Sequence, residues 1–182
     1  MAARDTFCSF CGTKQIDAGY PKTCPGCKTP VWANPIPVTV ALVPVIDGER
    51  TGLLVIRRAI EPKIGMLALV GGFLEEHESW QVGGAREVLE ETGLKIDPAS
   101  LRPLWWSSSE PKPNRVLLFG VAERIRVEAL PPFVGDGENS ERGLIYGPGG
   151  LESVVAFPTH LQAAMMYFAS VGITGPHCFQ KR

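Results

Sequence analysis

The sequence has no surplus of charge of either sign, with 18 Lys and Arg against 19 Asp and Glu. That balance argues against a protein built around a broad basic surface for nucleic acid. Long hydrophobic runs are also missing. The longest apolar stretch, Val38–Ile46, is interrupted by Pro44 and falls far short of the roughly 20 residues that cross a bilayer. The N-terminus lacks the apolar run of a signal peptide, so the expectation is a cytoplasmic protein without membrane attachment. Internal repeats and low-complexity tracts are absent. What the chain has in excess is turn-forming residues. Its 182 residues include 20 Gly and 16 Pro, well above the usual share of about 12%, which argues against a mostly helical fold. At 45% hydrophobic and 20% charged it can still bury an ordinary core.

The cysteines divide the chain. Four of five lie in the first 27 residues, as Cys8-x-x-Cys11 and Cys24-x-x-Cys27. Each pair brings two thiolates to one side of a tight turn, and two such turns complete a tetrahedron around Zn²⁺. Gly12 after the first pair and Gly26 inside the second suit turns that fold back under a metal. Two disulfides would need an oxidising compartment, and a redox Cys-x-x-Cys usually comes singly, so structural zinc is the preferred reading. A four-thiolate site has no open position and serves the fold, not the chemistry. Cys178 reads as an ordinary free thiol. The expected division is a ribbon over 1–34 and a main domain over 35–182, joined at Asn34-Pro35-Ile36-Pro37.

In the main domain the apolar patterning predicts strands at Val38–Ile46, Gly52–Arg58, Met66–Val70, Leu104–Ser107, Arg115–Ala122 and Val154–Phe157. Arg124–Leu130 could extend the sheet. Helices are predicted at Ser79–Thr92, stopped by Gly93, and from Pro158 to Ser170. The glycine-rich Asp136–Gly150 reads as a loop. Mixed strands and helices imply an α/β sandwich with a mixed sheet.

One segment carries chemistry. On a helix Glu87, Glu90 and Glu91 fall at i, i+3 and i+4, so three carboxylates share a face and repel. A hard divalent cation with a preference for oxygen ligands relieves that repulsion. A solvated acidic face is the plainer alternative. The wider spacing decides between them. Gly72, Glu78, Arg86, Glu87, Val88, Glu90, Glu91, Gly93 and Leu94 resemble the Nudix box at all nine specified positions, G-x5-E-x7-R-E-U-x-E-E-x-G-U with U apolar. The resemblance implies a Nudix α/β/α sandwich with a mixed sheet and hydrolysis of a nucleoside diphosphate linked to another group, with Mg²⁺ or Mn²⁺. It makes Glu87 and Glu91 the principal metal ligands, with Glu90 in support and the Gly71 carbonyl as an additional ligand. Arg86 would pair with Glu78. Glu141, and less so Glu138, would stand where some relatives place a further metal ligand. Gly83 and Gly84 are unusual inside a helix, at about 1 kcal/mol each.

A ribbon ahead of such a domain is similar to the NADH pyrophosphatase branch. There a stretch S-Q-P-W-P-F-P-x-S follows the box. Here Ser107, Pro111 and Pro113 keep register, while Glu110 and Lys112 replace the aromatics. NADH- or NAD-like dinucleotides are the favoured substrates. ADP-ribose, FAD and capped RNA are alternatives, as is a nucleotide-binding sensor without activity. Substrate contacts are expected from Arg57, Arg58, Trp105, Trp106 and Arg115: guanidinium forks match phosphate oxygens and tryptophan can stack on a base. A homodimer is expected from the resemblance alone.

Overall fold

The computed structural model describes residues 6–15, 19–109, 115–135 and 137–182. Glu110 and Lys112, with the rest of the loop compared above, lie outside the described residues. Contacts divide the chain into two units, Met1–Pro35 and Ile36–Arg182.

The first unit contains β1 (Lys22–Thr23) paired antiparallel with β2 (Pro30–Val31). Its two cysteine turns repeat one geometry. The Cys8 and Cys24 amides bond to the Thr13 and Thr29 carbonyls, each at 2.9 Å, and the Cys8 and Cys24 carbonyls accept from Gly12 and Lys28. The position after each second cysteine is left-handed, with φ 72° at Gly12 and 63° at Lys28. Gly26, expected to supply a turn conformation, serves a different need: a Cβ there would lie 2.3 Å from Thr13 Oγ1, so its missing side chain lets the two turns close on each other. The backbone freedom of glycine is wanted at 28, where lysine stands.

The second unit holds two mixed sheets. In one, β3 (Ile36–Leu42) pairs antiparallel with β7 (Val70–Phe73) and parallel with β9 (Arg115–Val121), which carries β8 (Arg102–Ser108). In the other, β5 (Arg50–Arg58) lies between β4 (Pro44–Asp47) and β11 (Asn139–Tyr146). There β6 (Leu67–Ala68) pairs with β5, β10 (Ile125–Arg126) runs parallel to β4, and β12 (Cys178–Lys181) pairs with β11. The run Val38–Ile46 is thus two strands. The chain passes from one sheet to the other at Val43, ahead of Pro44, and again at Leu69, between β6 and β7. Alternation along β3 and β5 sends Val40, Leu42, Leu53 and Val55 to one side, beneath α2 (Pro158–Ser170). Ala41, Leu54 and Ile56 face the other, beneath α1 (Trp80–Thr92). The result is the expected α/β/α layering.

Two expectations need correction. Asp136–Gly150 is not a loop, because Asn139–Tyr146 forms a buried strand between β5 and β12. Its glycine-rich flanks hid it, and Gly143 is there for space: a Cβ would lie 2.4 Å from the Phe179 ring. Val154–Phe157 forms a single bridge, Leu67↔Val155, after a 3-10 turn at Leu151–Ser153. Arg124–Leu130 does extend the sheet, through Ile125–Arg126 beside β4, before another 3-10 turn. Among the described residues no helix is long and apolar enough to cross a membrane.

The glycines of α1 have a packing cause. A Cβ on Gly83 would meet Leu74 Cδ2 at 2.4 Å, and one on Gly84 would meet Leu101 Cδ1 at 2.9 Å. The propensity cost therefore gives close seating of helix on sheet. Ser79 caps the start and left-handed Gly93 ends the helix. Arg142, 2% exposed, satisfies terminal polar groups by donating to the Thr92 and Pro131 carbonyls at 2.6 Å each.

His160 on α2 is buried, and its Nδ1 accepts from the Leu69 amide at 3.2 Å, at the point where the chain changes sheets. Burial, with the Arg58 charge, pushes its pKa down to about 3. Below about pH 6.5 the unfolded chain takes up a proton that the folded chain refuses until about pH 3. Stability is therefore intact above pH 6.5 and falls by up to about 1.4 kcal/mol per pH unit within that window. In urea titrations between pH 7 and 4, the parent should lose more stability than His160→Asn, whose amide oxygen keeps the Leu69 acceptor but does not titrate.

Candidate functional site

Three elements converge beside α1: the helix face, the Gly71–Gly72 backbone of β7, and the start of β11. Arg86 is the hub. Its Nε donates to Glu78 Oε1 at 2.8 Å, and Nη1 donates to Glu87 Oε1 at 2.8 Å and Glu90 Oε2 at 3.0 Å. Nη2 reaches the Phe73 carbonyl at 2.9 Å and Glu78 Oε2 at 3.2 Å. The Arg86 fork holds the Glu78 carboxyl below its ordinary range, and the Glu75 amide, which donates to Glu78 Oε2 at 3.1 Å, adds to this. Burial raises Glu87 against the opposing pull of Arg86. Glu91 Oε2 accepts from the Gly71 amide at 3.0 Å, and Asn139 Nδ2 lies 3.5 Å from Glu91 Oε1.

Both glycines at the head of the box are required by close approach. A Cβ on Gly71 would lie 2.2 Å from the Thr39 carbonyl oxygen, and one on Gly72 would lie 2.4 Å from Glu87 Oε1. The β7 backbone thus forms a floor on which the Glu87 carboxylate rests. Carboxylate oxygens are the donor type a hard divalent cation takes, although among the described residues the side chains spaced to hold one ion are the four cysteines, and here Arg86 supplies the positive charge among the box carboxylates.

These groups open into a cavity of about 1060 Å³. Glu87, Glu90, Glu91, Gly71 and Gly72 line one part, while Val40, Leu69, Leu117, Phe157 and His160 line another. Of the arginines expected at the substrate, Arg58 and Arg115 line it, Arg58 stacked over Phe157 and Arg115 over Phe73. Arg57 does not, because its Nε is bound to Glu141 Oε2 at 2.6 Å and its Nη1 to the Gly65 carbonyl. Glu141 is drawn to Arg57 and Lys181, whose bonds lower its pKa, and it lies away from the cavity. Glu138 lines the cavity in its place. Trp105 packs on Phe119 with ring centroids 5.4 Å apart and joins the core, and Trp106, 71% exposed, is not among the lining side chains. His160, Asn139 and Phe157 were not singled out from the sequence. A buried polar residue shows itself only once its segment is known to be a packed strand or helix.

In the first unit, Sγ of Cys8, Cys11, Cys24 and Cys27 all lie within 4.8 Å of one another. Cys8–Cys27 and Cys11–Cys24 are 3.8 and 3.6 Å apart. Zn–S bonds of about 2.3 Å in a tetrahedron require sulfurs roughly 3.8 Å apart, so the four thiols fit one such ion. Bonds from Thr13 lower the Cys11 thiol to about 6 and those from Thr29 lower Cys27, which favours the thiolate in those two, while burial and the neighbouring thiols raise Cys24.

Comparison with known proteins agrees with this geometry. The Nudix domain model matches residues 35–142. The chain belongs to the Nudix family. It is 27% identical over 127 residues to the NAD-capped RNA hydrolase NudC of Deinococcus radiodurans, covering 69% of this chain and 44% of that protein. It is 34% identical over 116 residues to the mitochondrial NAD(P)H pyrophosphatase NUDT13 of Mus musculus, covering 62% of this chain and 30% of that protein. The Nudix chain therefore spans less than half the length of these curated relatives. A Nudix hydrolase from Nitrosomonas europaea superposes with a TM-score of 0.65 at 26% identity, covering 94% of this chain and 96% of its own.

If Arg86 offsets the repulsion of Glu78, Glu87 and Glu90, then Arg86→Met should cost about 1–3 kcal/mol in urea denaturation with chelator present. Arg86→Lys, which keeps the charge but loses the fork, should fall between it and the parent.

Proposed function

We propose that the protein hydrolyses the pyrophosphate of a nucleoside diphosphate linked to a second moiety, with NADH- or NAD-like dinucleotides favoured. The observation that carries the reading is the continuity of the cavity. One space presents the box carboxylates to a pyrophosphate and an apolar, aromatic wall to a base. The names of the relatives, an NAD-capped RNA hydrolase and an NAD(P)H pyrophosphatase, support the same substrate class.

In this reading Glu87 and Glu91 are the principal metal ligands, with Glu90 and the Gly71 carbonyl in support. Bound Mg²⁺ or Mn²⁺ supplies positive charge against the pyrophosphate and lowers the pKa of a water. The chain supplies the rest. Arg86 fixes Glu78 and Glu87, the Gly72 floor sets the height of the Glu87 carboxylate, and Arg115 offers donors to phosphate oxygens. Water oxygen bonds to one phosphorus, the bridging P–O bond breaks, and two phosphate monoesters leave. Glu138, on the cavity, is better placed than Glu141 to receive the proton or add a ligand. The four thiolates hold a structural Zn²⁺ that takes no part in this reaction.

Glu91→Gln should keep the fold and lose at least about 100-fold in kcat, because it removes ligand charge while preserving shape. The measurement is hydrolysis with Mg²⁺ of NADH, NAD⁺, FAD, ADP-ribose, nucleoside triphosphates and capped RNA. Turnover near the parental rate would show the metal site to be elsewhere. Elemental analysis should find one Zn²⁺ per chain in the parent and none in Cys24→Ser.

With Glu110 and Lys112 in place of stacking aromatics, discrimination between NADH and other ADP-containing pyrophosphates should be weak. The double change Glu110→Trp, Lys112→Phe should raise the NADH preference in kcat/KM about tenfold. A strong parental preference that the double change leaves unaltered would count against this reading of the loop.

A further inference from the structure

The apolar part of the cavity lining carries a donor that the hydrolytic machinery does not use. His160 is 7% exposed, yet it lines the cavity. Because Nδ1 accepts the Leu69 N–H, the ring proton sits on Nε2. Nε2 has no acceptor among the described residues, and it is not among the fully enclosed polar atoms without a partner, so it opens to the cavity. The ring cannot turn to hide it, because Phe119 packs edge-on at 5.8 Å and Phe157 at 5.1 Å. A near-buried donor in an apolar wall favours a ligand with an acceptor at that point and disfavours one without.

The surroundings indicate the ligand's class. Val40, Leu69, Leu117 and Phe157 form a surface suited to a flat, uncharged group. The neighbouring cation is not arranged for a phosphate: Arg58 donates through Nε to the Pro62 carbonyl at 2.8 Å and lies against Phe157. We propose that His160 is the specificity-determining residue of the cavity, its Nε2–H donating to an acceptor atom on the heteroaromatic base of the substrate. A ring nitrogen of adenine and the carboxamide oxygen of nicotinamide offer the same chemistry. The proposal rests on the hydrolase reading for its substrate class but not on the metal site, so the two can be tested apart.

The experiment uses full-length protein with ¹⁵N-labelled histidine, free of catalytic divalent ions, titrated with AMP and separately with nicotinamide mononucleotide. His160→Asn assigns the resonance among the three histidines. The expected result is that free protein shows the Nε2–H tautomer and that one mononucleotide shifts the His160 signal. That same compound should bind roughly tenfold more weakly to His160→Asn, which keeps the Leu69 acceptor but lacks the outer donor. His160→Gln, whose Nε2 reproduces the donor, should recover most of the loss. Whether AMP or nicotinamide mononucleotide acts identifies the base. Failure of both compounds to shift His160, or equal affinity in the parent and His160→Asn, overturns the proposal. Absence of pyrophosphate hydrolysis by a parent whose His160 responds would sink the hydrolase reading and leave this one standing.

Discussion

Close placement of like charges is the constraint from which the second unit's architecture follows. Glu87, Glu90 and Glu91 lie on one face of a single helix, with Glu78 folded in beside them, and such a cluster is stable only if something cationic sits among its oxygens. Arg86 does so with a planar fork that contacts three carboxylates and a strand carbonyl at once. A lysine could not span that set. Because the fork also grips the Phe73 carbonyl, the helix is tied to the β7 backbone. That tie demands glycine at 72 and a short approach between helix and sheet, while Gly71 is required by the Thr39 carbonyl of β3. The approach in turn demands Gly83 and Gly84. The box is therefore a packing solution as well as a list of ligands.

What could be read from residues alone follows from the same physics. The helix over 80–92 and its carboxylate face were legible because periodicity, cap and stop are local signals. The two cysteine turns were legible because their spacing admits few geometries. The strand Asn139–Tyr146 was not, since its glycines serve neighbours remote in sequence: Gly143 makes room for Phe179, a contact no window around 143 contains. Glu141 shows the same blindness for a site. Placing it in a loop gave it freedom to reach the carboxylates, whereas in the strand its direction is set by register with Arg57. Trp105 and Trp106 differ only in which face of β8 they occupy, and pairing with β9 decided that.

The ribbon presents a simpler case of the same economy. Two turns of identical hydrogen bonding carry glycine at one left-handed position and lysine at the other, so the second is held in a conformation its residue does not favour. Four thiols placed to close on one ion would supply energy that such a short segment cannot draw from a core. In the proposed reading, metal serves folding in one unit through sulfur and chemistry in the other through oxygen.

The strand that the sequence concealed also determines what can be cut from this chain. The family match ends at Arg142, yet the strand bearing that residue continues to Tyr146 and is zipped along its outer side by residues 178–181. A fragment trimmed to the matched region would end mid-strand, discard its outer neighbour, and lose α2 with His160 and the core residues that α2 contributes. The matched segment is accordingly not an autonomous piece. Shuffling or grafting the box onto another scaffold would have to carry the chain through to its final strand.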